Sequence, residues 1–112
     1  MTKQELDALL QSLKPGIEIS EGESDVVGSL PRIAYWEYHW EFLNASGNAY
    51  TSVVTYQISF FSQTPRHSKL IELLTKLDAS GALPSVQHEA ISAPTRMIHS
   101  FFSLDVLEDL LG

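Results

Sequence analysis

Four histidines, fourteen carboxylates and no cysteine are the reactive side chains of this chain, and their spacing bears on what chemistry it can do. His39, His67, His88 and His99 are spread over its length, and none stands two or four residues from another, so no pair has the one-face spacing of a metal-binding helix or strand. Only Glu37, His39 and Glu41 alternate along one stretch and are read as sharing a strand face, where three polar groups in alternation form the solvated side of an amphipathic strand. The serines form no Gly-x-Ser-x-Gly elbow and single out no Ser/His/Asp set. The acids lie mostly in loops and at helix ends rather than as a pair in unlike environments, and Gly22 and Gly28 stand too far apart for a phosphate-binding loop. Without cysteine there are no disulfides, no thiolate nucleophile and no Cys-based zinc or iron-sulfur site. These residues predict a protein without catalysis, cofactor or metal.

Charge narrows the partners. A net charge of −7, with no Lys/Arg cluster, repels a phosphate backbone, so sequence-specific nucleic-acid binding is not expected. At 112 residues the chain can bury one core but not two, and residues 1–112 are read as a single domain. The opening Met1-Thr2-Lys3-Gln4-Glu5 is polar, without the apolar run of a signal peptide. Nothing approaches the ~20 apolar residues of a membrane span. A soluble protein made in the cytoplasm, without a membrane partner, is the expectation.

The elements that must position these groups follow from period and punctuation. Thr2 and Glu5 have capping-box spacing ahead of Leu6, Leu9, Leu10 and Leu13, a one-sided helical stripe ended by Lys14-Pro15-Gly16. Ile17 and Ile19 mark a short strand, and Ser20 to Leu30 a long polar loop. Two long strands follow: Pro31 to Phe42, with Ala34, Trp36, Tyr38, Trp40 and Phe42 on one face, then one carrying Val54, Tyr56, Ile58 and Phe60. Asn44-Ala45-Ser46-Gly47-Asn48 joins them as a hairpin. Thr64-Pro65 is expected to cap and start a second helix with Leu70, Ile71, Leu74 and Leu77 buried. Leu83 to Ala93 reads as a weak or irregular edge strand, and Met97 to Leu104 as a last strand apolar on both sides. Leu104, Leu107, Leu110 and Leu111 fall at helical spacing, so residues 104–112 are read as a short C-terminal helix or interface tail.

This order of elements predicts an α+β fold: a mainly antiparallel sheet of four to five strands with two helices packed on one face. In so acidic a chain, Trp36, Tyr38, Trp40 and Tyr56 are read as core beneath the helices rather than a platform for stacking bases. The remaining apolar surface exceeds what one small two-layer domain hides, which favours self-association.

The layout resembles the small tail-terminator and tail-completion proteins of long-tailed bacteriophages and prophages. The resemblance rests on Thr2 to Leu13, Gly16 to Pro31, the Tyr50 to Phe61 strand running into Thr64-Pro65-Arg66-His67, and the Leu70 to Leu77 stripe. It implies a structural protein, present in the host cytoplasm during assembly and then in the particle. Such a protein forms a homo-oligomeric ring, commonly a hexamer, that ends the tail tube and joins it to the head connector. Its partners would be itself, the tail-tube protein and the connector protein. The loops Ser20 to Leu30 and Phe42 to Tyr50 would reach those partners, making Glu21, Glu23, Asp25, Val26, Val27, Asn44 and Asn48 candidate interface residues, with Leu107, Leu110 and Leu111 as a candidate interface tail. A small prophage-encoded ligand-binding or regulatory α+β domain without catalysis is the alternative.

Overall fold

The computed structural model describes residues 1–22, 30–46, 49–91 and 97–111, the backbone alone at 45–46 and 49–50. Its elements are α1 (Lys3–Gln11), β1 (Glu18–Glu21), β2 (Arg32–Ser46), β3 (Ala49–Ser62), α2 (Ser68–Ala79), β4 (Gln87–Ile91) and β5 (Met97–Glu108). The strands form one sheet in the order β1-β2-β3-β5-β4. Only β1 runs parallel to its neighbour, with Ile19 opposite Ile33; every other pairing is antiparallel. The fold is α+β, as the sequence predicts.

Both helices lie on one face because each has one apolar stripe to bury. Thr2 starts α1: its hydroxyl oxygen accepts the Glu5 N–H at 3.1 Å and donates to the Glu5 carboxylate at 3.2 Å. Leu6, Leu10 and Leu13 then pack with Leu70, Leu73 and Leu77 of α2 against the sheet residues Ile33, Tyr35, Val54, Tyr56, Ile58, Phe60, Phe102, Leu104 and Val106. Ile71, expected inside, is half exposed on the outer face of α2, and Leu73 takes the buried place. The cap of α2 also moves. Thr64 offers only its carbonyl, to the Ser62 hydroxyl at 2.7 Å, and the helix begins at Ser68 with His67 as cap, Nδ1 accepting the Lys69 N–H at 3.0 Å.

The long hairpin departs from simple alternation. Its register slips between Glu37 and His39, so that Tyr38 and His39 together oppose Thr55. Such a bulge inverts the facing of every later residue. Before it, Ile33, Tyr35 and Glu37 pair with the helix-side residues Phe60, Ile58 and Tyr56; after it, Trp40 and Phe42 pair with Val54 and Ser52. The reading of Ala34, Trp36, Tyr38, Trp40 and Phe42 as one core face is therefore corrected. Ala34 and Trp36 join Phe61 and Met97 in a small cluster on the face away from the helices, and Tyr38, Trp40 and Phe42 are solvent-exposed.

Two further expectations change. The hairpin strands continue to Ser46 and from Ala49, so most of Phe42 to Tyr50 is strand and not loop. At the C-terminus β5 runs on to Glu108, because period two buries Phe102, Leu104 and Val106 against β3, and residues 109–111 form no helix. β5 is an interior strand, as its two apolar sides suggest. The hairpin outreaches the helices, so the molecule measures 54 × 26 × 22 Å with a radius of gyration of 15.3 Å, against about 13 Å for a compact chain of this length.

Candidate functional site

Three groupings of chemically capable side chains come out of this register. The first crosses β3, β5 and β4 on the face away from the helices. His99 is stacked between Phe61 and Phe101, with ring centroids 4.7 Å from each. Its Nε2 lies 2.8 Å from Ser59 Oγ and its Nδ1 2.8 Å from Glu89 Oε1. This is the connectivity of a hydrolytic Ser-His-acid triad, which the spacing of Ser59, Glu89 and His99 along the chain does not reveal. The surroundings differ from a triad's. Ser59 is fully buried in an unbroken stretch of β3 paired on both sides, so its hydroxyl is screened from substrate and no pair of free backbone N–H groups is left to bind an oxyanion. The arrangement ties three strands together through polar side chains.

The second grouping joins α1 to the sheet. Lys3 Nζ donates to Asp7 at 2.9 Å and Glu21 at 3.1 Å, and lies over the Tyr35 and Tyr56 rings at 5.9 and 5.6 Å. Tyr35 donates its hydroxyl proton to Asp7 at 2.8 Å. Burial, and then the bond to Asp7, raises the Tyr35 phenol. Burial also raises Tyr56, against the opposing pull of the Lys3 charge. Lys3 is raised too: burial alone would lower it, and the bonds to Asp7 and Glu21 more than offset that. Glu21, expected as an interface residue, pairs with Lys3 of its own chain and stays half exposed.

The third grouping is an open surface. β1 covers β2 only through Tyr35, so the outer edge of β2 from Trp36 onward has no neighbouring strand among the described residues. Along it Tyr38, Trp40, Phe42 and Leu43 are 56, 55, 43 and 47% exposed. Glu37, Tyr38, His39, Trp40 and Phe42 line an open groove of about 580 Å³. The Trp40 indole N–H donates to the Glu37 carboxylate across the helix-side face, and the Tyr38 hydroxyl meets Ser103 Oγ at 2.9 Å on the other. Glu37 therefore does not share a face with His39 and Glu41 as the alternation suggested. No group of three His, Asp or Glu side chains suited to a metal ion occurs among the described residues.

Of the other predicted interface residues, Glu23, Asp25, Val26, Val27 and Asn48 lie outside the described residues. Asn44 is exposed on β2 in the projecting part of the hairpin. Leu107 stands half exposed on β5, its N–H donating to the Met1 carbonyl at 2.9 Å, while Leu111 is exposed and Leu110 packs against the core. Register places Leu107 in the row of Val53 and Glu41, so Asn44 and Leu107 share one end of the sheet, remote from the β1 pairing. The residues sequence reasoning missed are Tyr38, Trp40, Phe42 and Leu43, whose exposure follows from the bulge and from helices too short to reach them. No helix among the described residues is long and apolar enough to cross a membrane. Compared with known proteins, the sequence matches no family model, and no curated protein matches it.

Proposed function

We propose that this chain is a structural subunit of a long-tailed phage or prophage particle, one that assembles with copies of itself into a ring, ends the tail tube and joins it to the head connector. The reading starts from the sequence resemblance, and one observation carries it further. Exposed aromatic surface is concentrated on a projecting hairpin with an open edge, whereas the His99 and Lys3 groupings are engaged in bonds within the chain. A protein so arranged works by contact. A rigid sheet backed by two helices holds its shape under lateral packing, and a projecting strand pair reaches a neighbouring ring or tube. A net charge of −7 favours partner surfaces of opposite sign.

The test is to purify long-tailed particles from the host that carries the gene and to locate the chain with a specific antibody. Label at the head-tail junction, together with unjoined heads and tails of uncontrolled length when the gene is deleted, is the expected result. Particles that lack the chain, or that assemble normally without it, overturn the proposal.

A further inference from the structure

We propose that the free edge of β2 pairs antiparallel with the same edge of a second copy, about a two-fold axis through Trp40. The inference goes beyond the ring reading and does not depend on it, because a two-fold contact closes on itself and leaves head-to-tail surfaces free.

The edge is only partly protected, by Glu37, Glu41 and the bulge at Tyr38. From Trp36 to Asn44 it has no lysine, arginine or proline, the residues that commonly keep exposed edges apart, and it carries four exposed large apolar side chains. β4, at the opposite side of the sheet, is only five residues long and mostly polar.

Register selects the occupant. An axis at Trp40 sets Trp40 against Trp40 and places His39 opposite Glu41 twice, an imidazole facing a carboxylate on the side away from the helices. Beyond the unpaired bulge residue Tyr38, Glu37 then meets Phe42 and Trp36 meets Leu43. Each of these pairs joins residues of the same face, since the bulge inverts both copies at equivalent points. This register pairs β2 from Trp36 to Leu43 in each copy and stops there, since Asn44 would meet Tyr35, which β1 already covers. Neighbouring registers lose charge complementarity or paired length. An axis at Glu41 opposes Glu41 to Glu41, a like-charge pair that destabilises a sheet. One at His39 opposes His39 to itself and, past the bulge residue Tyr38, ends with Glu41 against Trp36, because Phe42 would meet Tyr35, which β1 already covers. One at Phe42 sets Glu41 against Leu43 and so loses the opposition of His39 to Glu41. About Trp40 the edge is thus complementary to itself in charge and facing.

The experiment is sedimentation velocity with light scattering on the full chain over a concentration series, far-UV circular dichroism confirming that each variant is folded. The wild type is expected to form a dimer. Trp40→Lys, which sets two ammonium groups on the axis, is expected to be monomeric at every concentration. His39→Glu opposes carboxylates twice and weakens the dimer about tenfold. The exchange His39→Glu with Glu41→His restores the opposition and returns the affinity to within about threefold of wild type. A monomeric wild type, a Trp40→Lys protein that associates like wild type, or an exchange variant no tighter than His39→Glu overturns the inference. A larger ring of the same mass in wild type and Trp40→Lys overturns this edge pairing while leaving the ring reading standing.

Discussion

Lys3 shows how few residues hold the first helix to the sheet. Its ammonium is shared by Asp7 and Glu21 and rests over two tyrosine rings, one of which also donates to Asp7. The Lys3 ammonium and the Tyr35 and Tyr56 phenols are all pushed above their ordinary values in the folded chain. A group whose folded value is raised stabilises fully below its unfolded value, about 10 for both residue types, and loses that contribution as pH climbs toward the folded value. Thermal unfolding followed from pH 8 upward is therefore expected to hold steady and then fall beyond about pH 10. Tyr35→Phe removes one raised phenol, so its alkaline decline should be shallower than that of wild type, from a starting stability lower by about 1 kcal/mol for the lost hydrogen bond. Equal slopes in the two proteins would refute this account. The same variant tests whether Asp7 relies on Tyr35 or is satisfied by Lys3 alone.

At the scale of elements, His67 governs where α2 begins. A histidine is an unusual N-cap; here its Nδ1 accepts the Lys69 N–H while the ring lies 5.7 Å from Phe60. His67→Ala should destabilise the protein by about 1–2 kcal/mol through loss of a cap and a ring contact, whereas Thr64→Ala, expected from sequence to remove the cap, should change little. A urea titration of both variants checks the order. The same helix shows what was legible in the chain. Leu70 and Leu77 belong to the buried stripe that the spacing predicts, although Leu73 takes the place expected for Ile71, and Thr2 with Glu5 marks the start of α1, because local chemistry decides both. The hairpin was legible for the same reason. What was not legible depends on partners far away in sequence. Leu104, Leu107 and Leu110 suit a helix, yet Val106 opposite Val54 makes the segment a strand. The Tyr38 bulge leaves no local signature and decides which aromatic side chains meet solvent. The Ser59-His99-Glu89 line exists only once β3, β5 and β4 are in register, so no spacing along the chain announces it.

For the whole molecule, shape and stability separate along the hairpin. The main core engages β2 at Ile33 and Tyr35 and β3 from Val54 to Phe60, all beneath the helices. Beyond them Phe42 pairs with Ser52, and Leu43 with Thr51, where β5 has already ended opposite Ser52. Excising Leu43 to Thr51 and linking Phe42 to Ser52 with Asn-Gly, a turn suited to two directly opposed residues, removes only the outer part of the arm. The shortened protein should keep its circular dichroism spectrum and unfold cooperatively. Its radius of gyration by small-angle X-ray scattering should fall from 15.3 Å toward the roughly 13 Å of a compact chain. It should also lose the edge partner Leu43, and with it the Trp36 contact at each end of the proposed dimer, while Trp40, His39 and Glu41 remain. Association weakened but not abolished is the expected outcome, in contrast to the full loss in Trp40→Lys. A shortened chain that fails to fold would instead place the arm within the cooperative core, and the division between a body that folds and an arm that binds would fall.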